Sequence, residues 1–346
     1  MSAAPLAVPP AGSPVSNAEG AWQAALASLA GKSILITGGG GYIASRIAGL
    51  LGEVDCRIVR LARTPLAAAE LPRAKVEDSI ADVRDEAVWK DVLGGIDAVI
   101  HLAAQTSTYE ANRDPQTDLQ ANVLPMLRLL QVCAGMESPP MIVNASTVTV
   151  CGLPTRLPVD ESHAEAPVTV YDLHKQMAEN YLRYFARAGA ARGLSLRLSN
   201  VYGPGPRSSR GDRGILNQMA ARALRGEALT VYGSGEQLRD YLYVDDAARA
   251  FILAAACDTE TADGKPCIVA SGEGHRIADA LRLVAERASE RTGRAVDVVN
   301  VPAPAGLSPI EARHFVGDTR LFRETTGWAP RVALRPGIDL LIESLL

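Results

Sequence analysis

From Lys32 onward, short apolar runs alternate with longer stretches whose hydrophobic positions repeat at helical spacing. Ser33–Thr37 reads as a buried strand and Tyr42–Leu51 as the helix that follows it. Further strands are expected at 57–61, Lys75–Ile80, 97–102, 141–145 and 194–198, the last three each preceded by a helical stretch. Strands that alternate with helices in this way predict βαβ units, a parallel sheet and helices on both of its faces. Their crossovers are expected to be right-handed. After Pro204 the rhythm breaks. A loop rich in Gly, Pro, Ser and Arg (203–214) leads to a helix over Ile215–Leu224, then short strands at Leu229–Tyr232 and 241–243 and a helix over 246–256.

This pattern divides the chain into three parts. Residues 1–30 form an N-terminal extension, of which 1–15 are expected to be disordered on their Ala, Pro, Gly and Ser content. Within it a short helix over 18–29 carries Trp22, Leu26 and Leu29 as an apolar stripe, which fits the protein body and a second subunit equally well. Residues 31–202 are expected to be an α/β dinucleotide-binding domain. Residues 203–346 are mostly a smaller, sequence-discontinuous α/β substrate domain, with 244–270 returning to the first.

Composition narrows the partners. Forty-seven per cent of the residues are apolar, and the net charge of −4 is without a long basic cluster, so nucleic acid is not expected. The five cysteines form no CxxC pair and lie far from the histidines, so no metal site is expected and reduced thiols in a cytoplasmic enzyme are. The longest apolar stretches are shorter than a membrane span.

Candidate chemistry begins at the first strand–helix turn. Gly38, Gly41 and Ala44 fall at the GxxGxxG/A spacing in Thr37-Gly-Gly-Gly-Gly-Tyr-Ile-Ala44. Glycines there let the backbone approach a pyrophosphate that the helix N-terminus stabilises. At the end of the second strand, Ala62 stands where an NAD site places an acid, and Arg63 follows it, which leans toward NADP over NAD. Further on, Tyr171 and Lys175 lie one helical turn apart. A phenol titrating near pH 10 is a poor base at neutral pH. A neighbouring ammonium and an oxidised nicotinamide favour its phenolate, which can then take a proton from a sugar hydroxyl as hydride leaves. The strand end Asn144-Ala-Ser-Thr147 supplies a hydroxyl to share the reacting oxygen.

Together these residues resemble the extended short-chain dehydrogenase/reductases, specifically the NAD-dependent epimerase/dehydratase family with its Rossmann-like doubly wound sheet. The likeness runs from Lys32 onward through TGGGGYIAS, HLAAQTS, ASTVTVCG, YDLHK, RLSNVYGPG, VYGSGEQLRDYLYVDD and DTRLFRETTGWAP. It implies that Gly38, Gly41, Tyr42 and Ile43 hold the pyrophosphate, that Asp82 and Val83 meet the adenine, and that Leu102, Ala103, Ala104 and Ala145 line the cofactor cleft. Asn122 would support the active-site backbone. Thr147 and Tyr171 would be the catalytic hydroxyls, with Lys175 on the nicotinamide ribose. Asn200, Asn217 and Arg239 would contact a substrate diphosphate, and Val231 or Tyr232 its base. For Arg239 the chemistry agrees, because an anionic diphosphate needs a fixed cation. Asp245 and Asp246 read as a helix N-terminus and His101 as a strand-end residue in a hydrogen-bond network. Cys151 replaces an aromatic usual in the family. A homodimer built from two helices of each subunit is a further expectation.

Sugar 4,6-dehydratases of the family carry Asp-Glu after the catalytic Thr, whereas Val148-Thr149 stands here, which disfavours elimination. A nucleotide-sugar 4-epimerase leads. A 4-keto-sugar reductase using NADPH follows, ahead of a uronic-acid decarboxylase and a catalytically silent cofactor-binding protein. The loop with Arg207, Arg210 and Arg213 is expected to close over the diphosphate.

Overall fold

A computed structural model describes residues 15–206, 214–257 and 262–346, with side chains from residue 18. The expected disordered segment 1–15 and the arginine loop 207–213 therefore lie essentially outside the described residues. Seven parallel strands make the central sheet: β1 (Ser33–Thr37), β2 (Arg57–Ala62), β3 (Lys75–Ile80), β4 (Ala98–His101), β5 (Met141–Thr147), β6 (Arg192–Leu198) and β10 (Asp263–Val269). Their order is β10-β6-β5-β4-β1-β2-β3. The chain starts in the middle and winds outward first one way and then the other, so a cleft opens beyond the carboxyl ends of β1 and β4 where the order reverses.

Both faces of the sheet are covered, which is why its central strands are apolar on both sides. One face buries Ile34, Ile36, Ile58 and Ile100 against α1 (Val15–Leu29), α2 (Tyr42–Leu51) and α9 (Val244–Ala255). The other buries Leu35, Val59, Val99 and Ile142 against α3 (Glu86–Val92), α6 (Leu124–Cys133) and α7 (Val170–Arg187). The N-terminal helix α1 packs on the protein body: Trp22, Ala25 and Leu29 enter the first core, and the Arg249 guanidinium lies 3.8 Å above the Trp22 ring.

A second core gathers α8 (Ile215–Leu224), α10 (Ile277–Thr292) and α12 (Leu334–Leu345) around β8 (Leu229–Tyr232) and β9 (Leu238–Tyr243). There β9 pairs with β7 (Asn200–Tyr202) and β11 (Gly274–Arg276), and β8 with β12 (Val298–Val301). Asp245 and Asp246, in the first turn of α9, join the two cores. Asp245 takes Arg46 of α2 in a two-pronged ion pair, and Asp246 accepts from the Arg331 and Val332 amides. Among the described residues, no helix is long and apolar enough to cross a membrane.

Candidate active site

The turn after β1 is shaped for an anion. Gly38 has φ +66°, and a Cβ there would stand 3.1 Å from the Ala103 amide nitrogen. Gly41 caps α2 without any side-chain hydrogen bond, and its own Cβ would meet the Gly38 carbonyl at 2.9 Å. The first amides of α2, those of Tyr42 and Ile43 among them, thus have no capping side chain to accept from them, which suits a pyrophosphate. The Tyr42 hydroxyl is committed elsewhere: it donates to the Gly203 carbonyl at 2.7 Å, and burial pushes this phenol well above its ordinary range.

On the adenosine side, β2 ends at Ala62 and Arg63 is exposed just beyond it. Asp82, after β3, pairs with Arg84 at 2.7 Å; that hydrogen bond holds its carboxyl below the usual range despite some burial, with the charge of Arg63 adding a little. Val83 sits at the rim of the second face's core, and its carbonyl accepts from the Trp89 indole. The Leu102 and Ala103 amides both donate to Thr37 Oγ1 at 3.1 Å, and Ala104 follows them in the half-buried segment after β4. The same hydroxyl lies 2.9 Å from His101 Nδ1. With both its lone pairs taken by amides, it must donate to Nδ1, which leaves the His101 proton on Nε2. Burial pushes His101 down to about 3, so the ring is neutral.

Asn122 clasps the next segment, accepting from the Gln105 amide at 3.2 Å and donating to its carbonyl at 2.9 Å. Behind it stands Asp118, which accepts from Asn122 and Gln105 and holds His174 at 2.7 Å. Neither Asp118 nor His174 stood out in the sequence.

Thr147 is the last residue of β5, with half-buried Ala145 two positions earlier on the same strand. Tyr171 lies in the first turn of α7, which Thr169 caps by accepting from the Asp172 amide, and Lys175 follows one turn later. α7 packs against β5 and against the 3-10 turn 148–151, so these three candidate residues share one end of the sheet with the glycine turn. Lys175 is buried, and that burial pushes its amine down to about 8, against the pull of Glu179 and Asp118. Cys151, in the 3-10 turn, is a buried core thiol pushed up to about 11 by burial.

Sequence reasoning also missed a carboxyl in this group. Asp172 is fully buried beside Tyr171, accepts from the Thr149 hydroxyl, and has its second oxygen buried without a partner. Thr149 Oγ1 in turn lies 2.8 Å from Thr147 Oγ1. The signal was available: Asp172 lies three residues before Lys175 and seven before Glu179, and these positions share one inward face of the helix.

The candidate substrate residues surround the other wall. Asn200 opens β7 and accepts from Arg313 at 3.2 Å. Asn217 of α8 turns its amide onto both polar groups of Gly203, at 2.7 and 3.2 Å. Val231 is packed in the second core, whereas Tyr232 at the end of β8 is exposed. The buried Arg239 guanidinium donates to the Arg313 carbonyl at 2.5 Å and to the Glu311 carbonyl at 2.8 Å, with the Glu311 carboxylate at 3.2 Å. Beside it Arg313, unmarked in the sequence reading, is pushed down to about 10 by burial and by the charge of Arg239. Two adjacent buried guanidiniums make this wall positive.

Residues 34–269 match the model of the family described as "NAD dependent epimerase/dehydratase family". A UDP-glucose 4-epimerase of Mycolicibacterium smegmatis is 27% identical over 319 residues, spanning 89% of this chain and 97% of that protein. A UDP-glucuronic acid decarboxylase of Arabidopsis thaliana is 29% identical over 322 residues, 90% of this chain and 88% of that one. Among solved structures, a UDP-glucose 4-epimerase from Thermotoga maritima with UDP-glucose is 28% identical, with a TM-score of 0.78 over 90% of this chain and 98% of its own.

Proposed function

The chain belongs to the NAD-dependent epimerase/dehydratase family, and on that premise we propose that it is a nucleotide-sugar epimerase working by transient hydride transfer at the sugar C4. The observation that carries this reading is the placement of Thr147, Tyr171 and Lys175 at the same end of the sheet as the Gly38–Gly41 turn. A dinucleotide bound there, on Gly38, Gly41 and the amides of Tyr42 and Ile43, would accept a hydride and later return it. Asp82 and Val83 would face its adenine, Leu102, Ala103, Ala104 and Ala145 its cleft, with Asn122 holding the wall behind them. Tyr171 takes the proton of the sugar hydroxyl and gives it back, Thr147 holds the reacting oxygen, and Lys175 stabilises the phenolate and binds the ribose. The substrate is a nucleotide-diphosphate sugar, its diphosphate near Asn200, Asn217 and Arg239 and its base near Val231 or Tyr232. Arg313 joins them because its guanidinium binds Asn200.

A cytoplasmic homodimer is part of the reading. On α7, Leu173 is 44% and Tyr184 70% exposed, apolar surface that a second subunit would cover.

A second reading, an NADPH-dependent 4-keto-sugar reductase, is supported by one observation. Arg63 stands exposed where β2 ends without a carboxylate, free to meet a 2′-phosphate. Nucleotide sugars presented to the purified enzyme separate the two. The epimerase converts a 4-hydroxy sugar into its C4 epimer with no added reductant, and Tyr171→Phe slows this by roughly 100-fold or more. Turnover only of a 4-keto sugar, with stoichiometric NADPH consumption, would replace it by the reductase.

A further inference from the structure

Asp118, in α5 (Pro115–Asn122), is buried and held by three side chains from two other parts of the cleft wall and from its own helix. Its Oδ1 accepts from Gln105 at 2.7 Å and from Asn122 at 2.9 Å, and its Oδ2 from His174 Nδ1 at 2.7 Å. A carboxylate only accepts, so His174 carries a proton on Nδ1. Gln105 and Asn122 direct their remaining amide protons to the Ser107 and Gln105 carbonyls, which leaves the cluster one arrangement. It ties the segment after β4 to α7, at the residue that precedes Lys175 and lies one turn beyond Tyr171.

We infer that Asp118, tethered to α7 by His174, is a positioning residue that supplies the negative charge opposite the Lys175 ammonium. This rests on the nucleotide-sugar reading above, in which Lys175 acts on Tyr171. Two carboxylates act on Lys175 through space, Glu179 and Asp118. They differ in what else holds them. Glu179 is paired with Arg197 of β6 at 2.6 Å, a full opposite charge. Asp118 meets two neutral amides and an imidazole, so its charge is left to act on Lys175. The remaining titratable groups against this part of α7 do not replace it. His101 of β4 and Cys151 of the 3-10 turn are kept neutral by burial. Asp172 is engaged by Thr149 and faces the charge of Arg313.

The test removes the charge and keeps the geometry. In Asp118→Asn the amide oxygen still accepts from Gln105 and Asn122, and His174 takes its other tautomer to accept the new amide proton. Loss of a negative charge makes neighbouring groups release their protons at lower pH. The contribution of Lys175 to stability is read by urea unfolding, as the difference between each protein and the same protein carrying Lys175→Met. Changes at His174 are common to both members of a pair and cancel. In the wild type this contribution begins to rise near the Lys175 value of about 8. In Asp118→Asn the rise is expected to begin lower by roughly half a pH unit or more. Asp118→Ser, also uncharged, gives the same displacement. His174→Gln keeps both a donor and the carboxylate, and leaves the onset in place. The pH profile for conversion of UDP-glucose moves the same way in the two Asp118 variants and stays in place in His174→Gln. A merely structural role lowers stability or rate and moves neither profile. An onset unmoved in Asp118→Asn and Asp118→Ser overturns the inference and leaves the nucleotide-sugar reading standing. A displaced onset in a protein whose wild type converts no UDP-glucose supports the charge assignment and counts against the epimerase reading alone.

Discussion

At the scale of single residues, the site is a set of buried charges whose surroundings decide what they do. Lys175 is the clearest case. Its ordinary value is 10.5, and burial pushes it down to about 8. Between those two values the unfolded chain binds a proton that the folded enzyme has released, so stability attributable to this group rises with pH across that window. Below about 8 the folded protein carries the whole cost of the buried ammonium. Lys175→Met removes the effect. Urea denaturation of both proteins is expected to show the difference in unfolding free energy changing by up to about 3 kcal/mol between pH 8 and pH 10.5. Parallel pH profiles for the two proteins would refute it. Arg239 illustrates the reverse situation, a buried cation braced by main-chain carbonyls before any ligand arrives.

Secondary-structure elements were the most legible level. The strands Ser33–Thr37, Lys75–Ile80 and Leu229–Tyr232 and the helices Tyr42–Leu51 and Ile215–Leu224 stand where the hydrophobic pattern puts them. Apolar runs bounded by glycine or polar residues leave little room for another register. β9 ran longer than read where polar residues continued the ladder: it begins at Leu238, ahead of Arg239 and Asp240. β7, β11 and β12 escaped notice because runs of three or four residues are too short to carry a usable period. Site residues were legible where backbone chemistry demands them, as at Gly38. They were not legible where partners are far apart in sequence, as with Asp118 and His174, Asp172 and Thr149, or Arg313 and Asn200. The glycine turn is the element on which the cofactor reading stands. Gly38→Ala puts a Cβ into a left-handed backbone and against the Ala103 amide. It is expected to weaken dinucleotide affinity by roughly tenfold or more while costing about 1–2 kcal/mol of stability. Unchanged affinity by calorimetry would show that the turn does not carry the pyrophosphate.

On the scale of the whole molecule, two cores are tied together beside the cleft. α9 packs on the sheet while Asp246, in its first turn, grips Arg331 and Val332, and β10 closes the sheet beside β6. α1 adds Trp22 to the same core, so the extension is part of the body that positions the cleft. Hydride chemistry of the proposed kind uses this frame to keep one dinucleotide in place through oxidation and return. The direct measurement is to denature the purified enzyme, identify the dinucleotide released, and titrate fresh protein with NADPH and NADH. The epimerase account predicts released NAD and slow exchange with added cofactor, which makes Arg63 a bystander. Protein that releases no dinucleotide and binds NADPH far more tightly than NADH would contradict it and assign the site to a 4-keto-sugar reductase.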